Sequence, residues 1–220
     1  MPDINVEITR HKMVEQQIRP WEVLDQQILD LMHKSPREEY VPAAWRNCAY
    51  VDMNIPLEHD QVMMAPKLEA RLLQELAIQP KDKILEVGTG SGYMTSLLAT
   101  LGDHVHSVEV IPELASRGQQ NLGAHEIQNI SLEIGDAARG WDRHAPYDVM
   151  LFTGSLPLLP QKLQNDLTPG GRMIAIVGNS PAMEVQLIQR VGDENWTTTS
   201  LFETDLPPLL NAEEPERFVF

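Results

Sequence analysis

Apolar residues in the first third of the chain recur at helical intervals. Val14 and Ile18, then Val23, Leu24, Ile28, Leu31 and Met32, follow three- and four-residue spacing that is broken at Pro20. The pattern predicts two short amphipathic helices, the second ended by Ser35-Pro36. Between Tyr40 and Pro66 the period disappears, and Pro42, Pro56 and Pro66 punctuate a mixed run. A loop of that length in a compact domain is usually functional. Pro66 stands where an N1 proline belongs, and Leu68, Leu72, Leu73, Leu76 and Ala77 carry the period onward as a helix.

From residue 81 the texture changes. Strand-like runs at 83–87, 104–109, 129–134, 147–152 and 172–177 are separated early on by helical runs at 91–101 and 112–122. Strand and helix in alternation predict right-handed crossovers and an α/β fold, a Rossmann-like, doubly wound and mostly parallel sheet. Residues 185–191 and 196–202, joined across 192–195, predict an antiparallel hairpin added at one edge. From Pro207 the tail is acidic and proline-interrupted, and it predicts an extended wrap ending in Phe218-Val219-Phe220. The expected organisation is one domain over 1–220: helices and a long loop at 1–80, a Rossmann-like core at 81–206, and a tail at 207–220.

Charge narrows the partners. Among 220 residues, 17 Lys and Arg face 32 Asp and Glu, a net charge of −15. Basic residues are scattered, so neither a nucleic-acid backbone nor an anionic membrane has a counter-surface. The single cysteine, Cys48, excludes an intrachain disulfide framework. Residues 1–12 are polar and mixed in charge, so neither a signal peptide nor a membrane span is expected there. The reading is a cytoplasmic monomer. The histidines show no metal-ligand spacing, so no metal is expected, and the four tryptophans form no stacking pattern for nucleic acid.

The chemistry concentrates in Glu86-Val87-Gly88-Thr89-Gly90-Ser91-Gly92-Tyr93, after a strand and before a helix. Glycines at alternate positions permit a tight turn and close ligand approach, and the first amides of the next helix point outward. In an open α/β sheet such a turn borders the crevice at the carboxyl ends of the strands. The spacing is Gly-x-Gly-x-Gly, not the Gly-x-Gly-x-x-Gly of dinucleotide sites, and that disfavours a nicotinamide-dependent oxidoreductase. Glu86, a carboxylate inside an apolar strand, predicts a paired cation such as a ligand ammonium group. Glu109, followed by Val110, ends the second strand about 20 residues beyond the first glycine, where an acid accepts from ribose hydroxyls. Gly135-Asp136-Ala137 closes the third strand, and Asp136 is placed to accept from an adenine amino group. Amine, ribose and adenine are thus specified in one crevice, without a pyrophosphate.

These motifs resemble the class I S-adenosylmethionine-dependent methyltransferases, with Leu167-Thr168-Pro169-Gly170-Gly171 similar to their turn before the fifth strand. Within that class the chain resembles the protein-L-isoaspartate O-methyltransferases. Ser35-Pro36-Arg37-Glu38-Glu39-Tyr40-Val41-Pro42, Ala49-Tyr50-x-Asp52, Ile55-Pro56-Leu57, the turn at 86–93, and Pro146-Tyr147-Asp148 with Thr153 are similar to that family's elements. The C-terminal Leu206-Pro207-Pro208-Leu209 matches more weakly. The resemblance implies S-adenosyl-L-methionine as cofactor and an isoaspartyl carboxylate of damaged protein or peptide as acceptor. It also implies that Met63 and Met64 line the donor end, beside the acceptor.

One segment departs from the family. Where its active loop reads Gly-x-Thr-Ile-Ser-x-Pro, this chain has Asp60-Gln61-Val62-Met63-Met64-Ala65-Pro66, so Val62 and Met64 replace the two hydroxyls. An ionised carboxylate acceptor needs no general base, and catalysis rests on alignment and desolvation. Losing one orienting hydrogen bond removes about 2 to 4 kcal/mol of transition-state stabilisation, or about 30- to 1000-fold in rate. Ser155, after the fourth strand, and His59, in the long loop, are candidate replacements, with Thr153 nearby. Two alternatives stand beside the isoaspartyl reading: a methyltransferase for another acceptor, such as a small molecule admitted by the methionines, and a non-catalytic S-adenosylmethionine-binding module.

Overall fold

A computed structural model describes residues 5–215. The predicted wrap at Phe218-Val219-Phe220 lies outside the described residues. Helix α1 (Val6–Met13) begins where the Asn5 side chain accepts from the Ile8 amide, and it runs on through a π-turn (Val14–Ile18) and a 3-10 turn (Arg19–Trp21). The first helix therefore starts earlier than the apolar period indicates, because a polar cap and not an apolar stripe initiates it. Leu24 lies outside both helices and is exposed. Helix α2 (Gln26–Lys34) is capped by Asp25.

The long loop is partly ordered into 3-10 turns (Arg37–Glu39, Ala43–Cys48) and a two-stranded ribbon, β1 (Ile55–Pro56) with β2 (Val62–Met63). Helix α3 (Pro66–Leu76) starts on its proline and ends at Ala77 in the left-handed conformation. Arg172 secures that end, donating to the carbonyls of Leu76 and Ala77 and pairing with Asp82 at 2.6 Å.

Then come β3 (Lys83–Val87), α4 (Tyr93–Leu101), β4 (His104–Glu109), α5 (Pro112–Ala124), β5 (Ile130–Ile134), β6 (Tyr147–Leu156), β7 (Leu167–Asn179), β8 (Ala182–Arg190) and β9 (Trp196–Thr204). Seven strands form one sheet in the order β5-β4-β3-β6-β7-β8-β9. The first five are parallel, and β8 and β9 add as an antiparallel hairpin. The chain winds outward from β3 in one direction and restarts at β6 in the other, so a topological switch lies between β3 and β6.

Apolar residues fill both faces of the sheet. Ile84, Val149, Leu151 and Ile174 pack on one side with α3 and α4, and Leu85, Val87, Met150 and Phe152 pack on the other. Strand alternation puts Glu86 on the Ile84 side. The two inner strands run longer than the pattern indicates. Between Leu151 and Ser155 the β6–β7 register slips, and the bulge moves Thr153 and Gly154 out of line at the mouth of the switch. Among the described residues no helix is long and apolar enough to cross a membrane.

Candidate active site

A crevice opens at the carboxyl ends of β3, β4, β5 and β6, between the glycine turn, the loop at 57–64 and the tail at 206–210. Gly88 bridges to the next strand, its amide donating to the Val108 carbonyl at 2.8 Å. Its φ of +100° is a region L residues avoid, and a Cβ there would run into the Thr153 hydroxyl. The glycine is thus required both by conformation and by the approach of β6.

Glu109 is buried and saturates the turn. Its Oε2 accepts from the Gly90 amide at 2.9 Å and its Oε1 from the Ile111 amide at 3.0 Å. Each carboxylate oxygen retains a lone pair, and the residue forms part of the crevice wall. Asp136 is held at both oxygens, by the Ala138 amide and by the side chain of Asn211, each at 3.1 Å. Thr89, Gly90, Ser91, Val110, Gly135 and Ala137 complete this side. The residues present fit a nucleoside with two vicinal hydroxyls: a strand-end carboxylate with a lone pair to spare on each oxygen, a second carboxylate at Asp136, and apolar Val108, Val110, Leu114 and Ala138 around them.

Glu86 and Gly92 are not on the wall. Glu86 is wholly buried beneath the turn, where its Oε2 accepts from Thr95 and Ser107, each at 2.5 Å, and Thr89 bonds Ser107 in turn at 2.6 Å. The alternation that places Ile84 in the core carries Glu86 with it, so hydroxyls meet the carboxylate where a ligand ammonium was expected. Its Oε1 has no partner. Burial pushes the carboxyl up to about 8, against the pull of the Ser107 and Thr95 hydrogen bonds.

On the opposite wall Met63 and Met64 are buried, alongside Leu57, Gln61 and Val62. Thr153 also lines the crevice, its hydroxyl directed to the carbonyls of Val87 and Gly88. The two expected replacements for the loop hydroxyls lie elsewhere. Ser155 is fully buried and donates to the Leu206 carbonyl at 2.8 Å, because β6 continues past the bulge and turns that side chain inward. His59 sits on an exposed turn with φ +59°, 3.6 Å from Glu113 and outside the crevice.

Two groups on the wall escaped the sequence reading. One is the tail. The Ser155 amide donates to Pro207 and the Leu209 amide to Ser155, at 3.0 and 2.9 Å, so Leu206, Pro207, Leu209 and Leu210 close one side. The other is Glu69, 1% exposed and ion-paired with the wholly buried Arg37. A signal existed: Glu69 falls at the helical phase of the apolar Leu72, Leu73 and Leu76, where an unpaired charge is costly. Burial raises its carboxyl to about 7, while Arg37 pulls it down. Away from the crevice the fold also gathers His106, Glu133 and His144. Trp141, Arg143 and His144 already engage that glutamate.

Comparison with known proteins follows the same lines. Residues 8–214 match the family model for protein-L-isoaspartate(D-aspartate) O-methyltransferase. A protein-L-isoaspartate O-methyltransferase 1 of Syntrophobacter fumaroxidans is 37% identical over 90% of this chain and 92% of the relative. One of Pelobacter propionicus is 34% identical over 96% and 99%. A Plasmodium falciparum structure described as a protein-L-isoaspartate O-methyltransferase in complex with S-adenosyl-L-homocysteine superposes with TM-score 0.77 at 18% identity, covering 93% of this chain and 98% of that one. With the glycine turn, the strand-end acids and the switch-point crevice in place, the chain belongs to the protein-L-isoaspartate O-methyltransferase family and is an S-adenosylmethionine-dependent O-methyltransferase.

Proposed function

We propose that the chain methylates the free carboxylate of isoaspartyl residues in damaged proteins or peptides. The observation that carries this reading is the strand-end crevice in which Glu109, bonded to the Gly90 amide, and Asp136 share a wall-to-wall cleft with the buried side chains of Leu57, Met63 and Met64. Bound S-adenosylmethionine would supply an electrophilic methyl on its sulfonium: a carboxylate oxygen attacks that carbon as the C–S bond breaks, giving a methyl ester and S-adenosylhomocysteine with a neutral thioether sulfur. Glu109 accepts from the ribose hydroxyls, Asp136 from the adenine amine, and Gly88 to Ser91 border the methionine end. Glu86 and Gly92 support the turn from behind without touching the ligand.

The acceptor side works mainly by excluding water. Leu57, Val62, Met63 and Met64 form an apolar wall, which desolvates an ionised oxygen and so raises its nucleophilicity without a base. Gln61, with one Nε2 hydrogen left after its bond to the His59 carbonyl, is the neutral donor on that side that can orient it, while the Thr153 hydroxyl is held by the Val87 and Gly88 carbonyls. Ser155 is committed to Leu206, and His59 stands outside. The reading includes a cytoplasmic monomer without a nucleic-acid or membrane partner, which the net charge of −15 supports.

Methyl transfer from labelled S-adenosylmethionine to an isoaspartyl peptide, beside the same peptide with ordinary aspartate, tests the reading. Selective labelling of the isoaspartyl form is expected. Cofactor binding on the same preparation with no labelling of either peptide would overturn it.

A further inference from the structure

We propose that Arg37, held by Glu69, is a positioning residue that fixes the methionine-bearing loop against the helix following the glycine turn. Arg37 is wholly buried and spends its guanidinium on three segments. Its Nε donates to the Ala49 carbonyl at 2.8 Å, its Nη2 to the Met64 carbonyl at 2.6 Å, and its Nη1 to Glu69 of α3. The guanidinium also lies 5.0 Å from the ring centroid of Tyr93, the first residue of α4. One side chain therefore ties the loop backbone at Met64 to α3 and to the helix that starts at the glycine turn.

Stability alone does not account for the pair. A buried ion pair is often no better, and can be worse, than apolar residues of similar volume. A planar fork with fixed donor directions does what an apolar pair cannot, namely set the position of a carbonyl. That carbonyl belongs to Met64, and Glu69 stands on the same crevice wall. The kinetic consequence rests on the methyl-transfer reading above. The placement of the loop does not.

The discriminating variant is Arg37→Met combined with Glu69→Leu, which removes both charges and keeps the volume. Four quantities are measured: the unfolding midpoint, amide hydrogen exchange across 61–65, S-adenosylhomocysteine affinity, and kcat and KM on isoaspartyl peptide. The expected result is a lower midpoint that still reports cooperative unfolding, since the carbonyls of Ala49 and Met64 lose their donor, with exchange at 61–65 faster by about tenfold, cofactor-product binding weaker by a similar factor, and kcat falling more than KM rises. Parental exchange and affinity in a stably folded double variant would overturn the proposal, leaving the pair as packing. Should the double variant not fold, Arg37→Lys is read by exchange alone. Acceleration confined to 61–65 supports positioning, and acceleration spread evenly over the sheet overturns it. Exchange and product binding need no acceptor, so failure of the parent to label isoaspartyl peptide would sink the functional reading and leave this test standing.

Discussion

The two walls of the crevice are built by different means. On the strand-end side, backbone geometry does most of the work: a turn with Gly88 at φ +100°, amides of Gly90 and Ile111 aimed at Glu109, and Gly135 bonded to the Glu109 carbonyl. The opposite side is assembled from a loop, a tail and a buried ion pair drawn from residues 37 to 210, and it is held by side-chain packing, by the Arg37 guanidinium on the Met64 carbonyl and by backbone pairing of the tail with Ser155. The first wall is local in sequence and rich in hydrogen-bonding groups. The second is long-range and apolar. Changes on the first are therefore expected to cost ligand affinity, and changes on the second stability and placement.

The largest effect is expected at Glu109. Replacing it with alanine removes a carboxylate that organises two amides, and the lost charge-assisted hydrogen bonds amount to about 3 kcal/mol, on the order of 100-fold in affinity. Titration calorimetry with S-adenosylhomocysteine is the measurement. Unchanged affinity would remove Glu109 from the ligand site. On the other wall, Met64→Ala deletes a side chain that is 3% exposed, and chemical denaturation should show a loss of about 2–3 kcal/mol. Product affinity should fall tenfold or less. A reversed pattern, with intact stability and abolished binding, would place Met64 with the strand-end wall.

The same division explains what could be read beforehand. The seven strands of the main sheet and the glycine turn lie in contiguous runs whose period or glycine spacing announces them, whereas the β1–β2 ribbon sits in a stretch without period; Glu109, Val110, Asp136 and Ala137 are legible because they stand at strand ends. Glu86 stands out in the sequence as a carboxylate in an apolar strand, but its surroundings do not, since its partners Thr95 and Ser107 come from the next helix and the next strand. Ser155 points inward and not to the crevice lip for a related reason: its direction depends on a bulge set by pairing with β7, which no local pattern encodes. Arg37 and Glu69 are 32 residues apart and meet only when the loop closes on α3. The tail reaches the crevice through pairing with Ser155, a contact made by backbone atoms that carry no sequence signature.

A smaller effect separates the core beneath the turn from the wall above it. The Glu86 carboxyl titrates near 8 when folded and near 4.5 when unfolded. Between those values the unfolded chain has lost a proton that the folded chain keeps, so this group's contribution is full below about pH 4.5 and declines as pH rises through 8. Glu86→Gln removes that decline. Its unfolding free energy, compared with the parent at pH 5 and at pH 6.5, should gain on the parent at the higher pH, by about 2 kcal/mol. A constant difference across pH would mean the carboxyl is ionised throughout.

The smallest effect tests which wall owns the tail. Asn211 has φ +63° and donates to Asp136 at 3.1 Å, linking the tail to a strand-end acid. Alanine would add backbone strain to the loss of the amide, whereas Asn211→Gly keeps the conformation and removes only the hydrogen bond. Asp136 Oδ2 has room for a second donor, so Asn211 orients the acid without blocking it. Loss of that orientation should weaken S-adenosylhomocysteine by about threefold, or roughly 0.6 kcal/mol, with little change in the unfolding midpoint. Tighter binding in Asn211→Gly would carry the opposite meaning: the amide then competes with the ligand for Asp136, and the tail belongs with the loop as a closing element of the acceptor side.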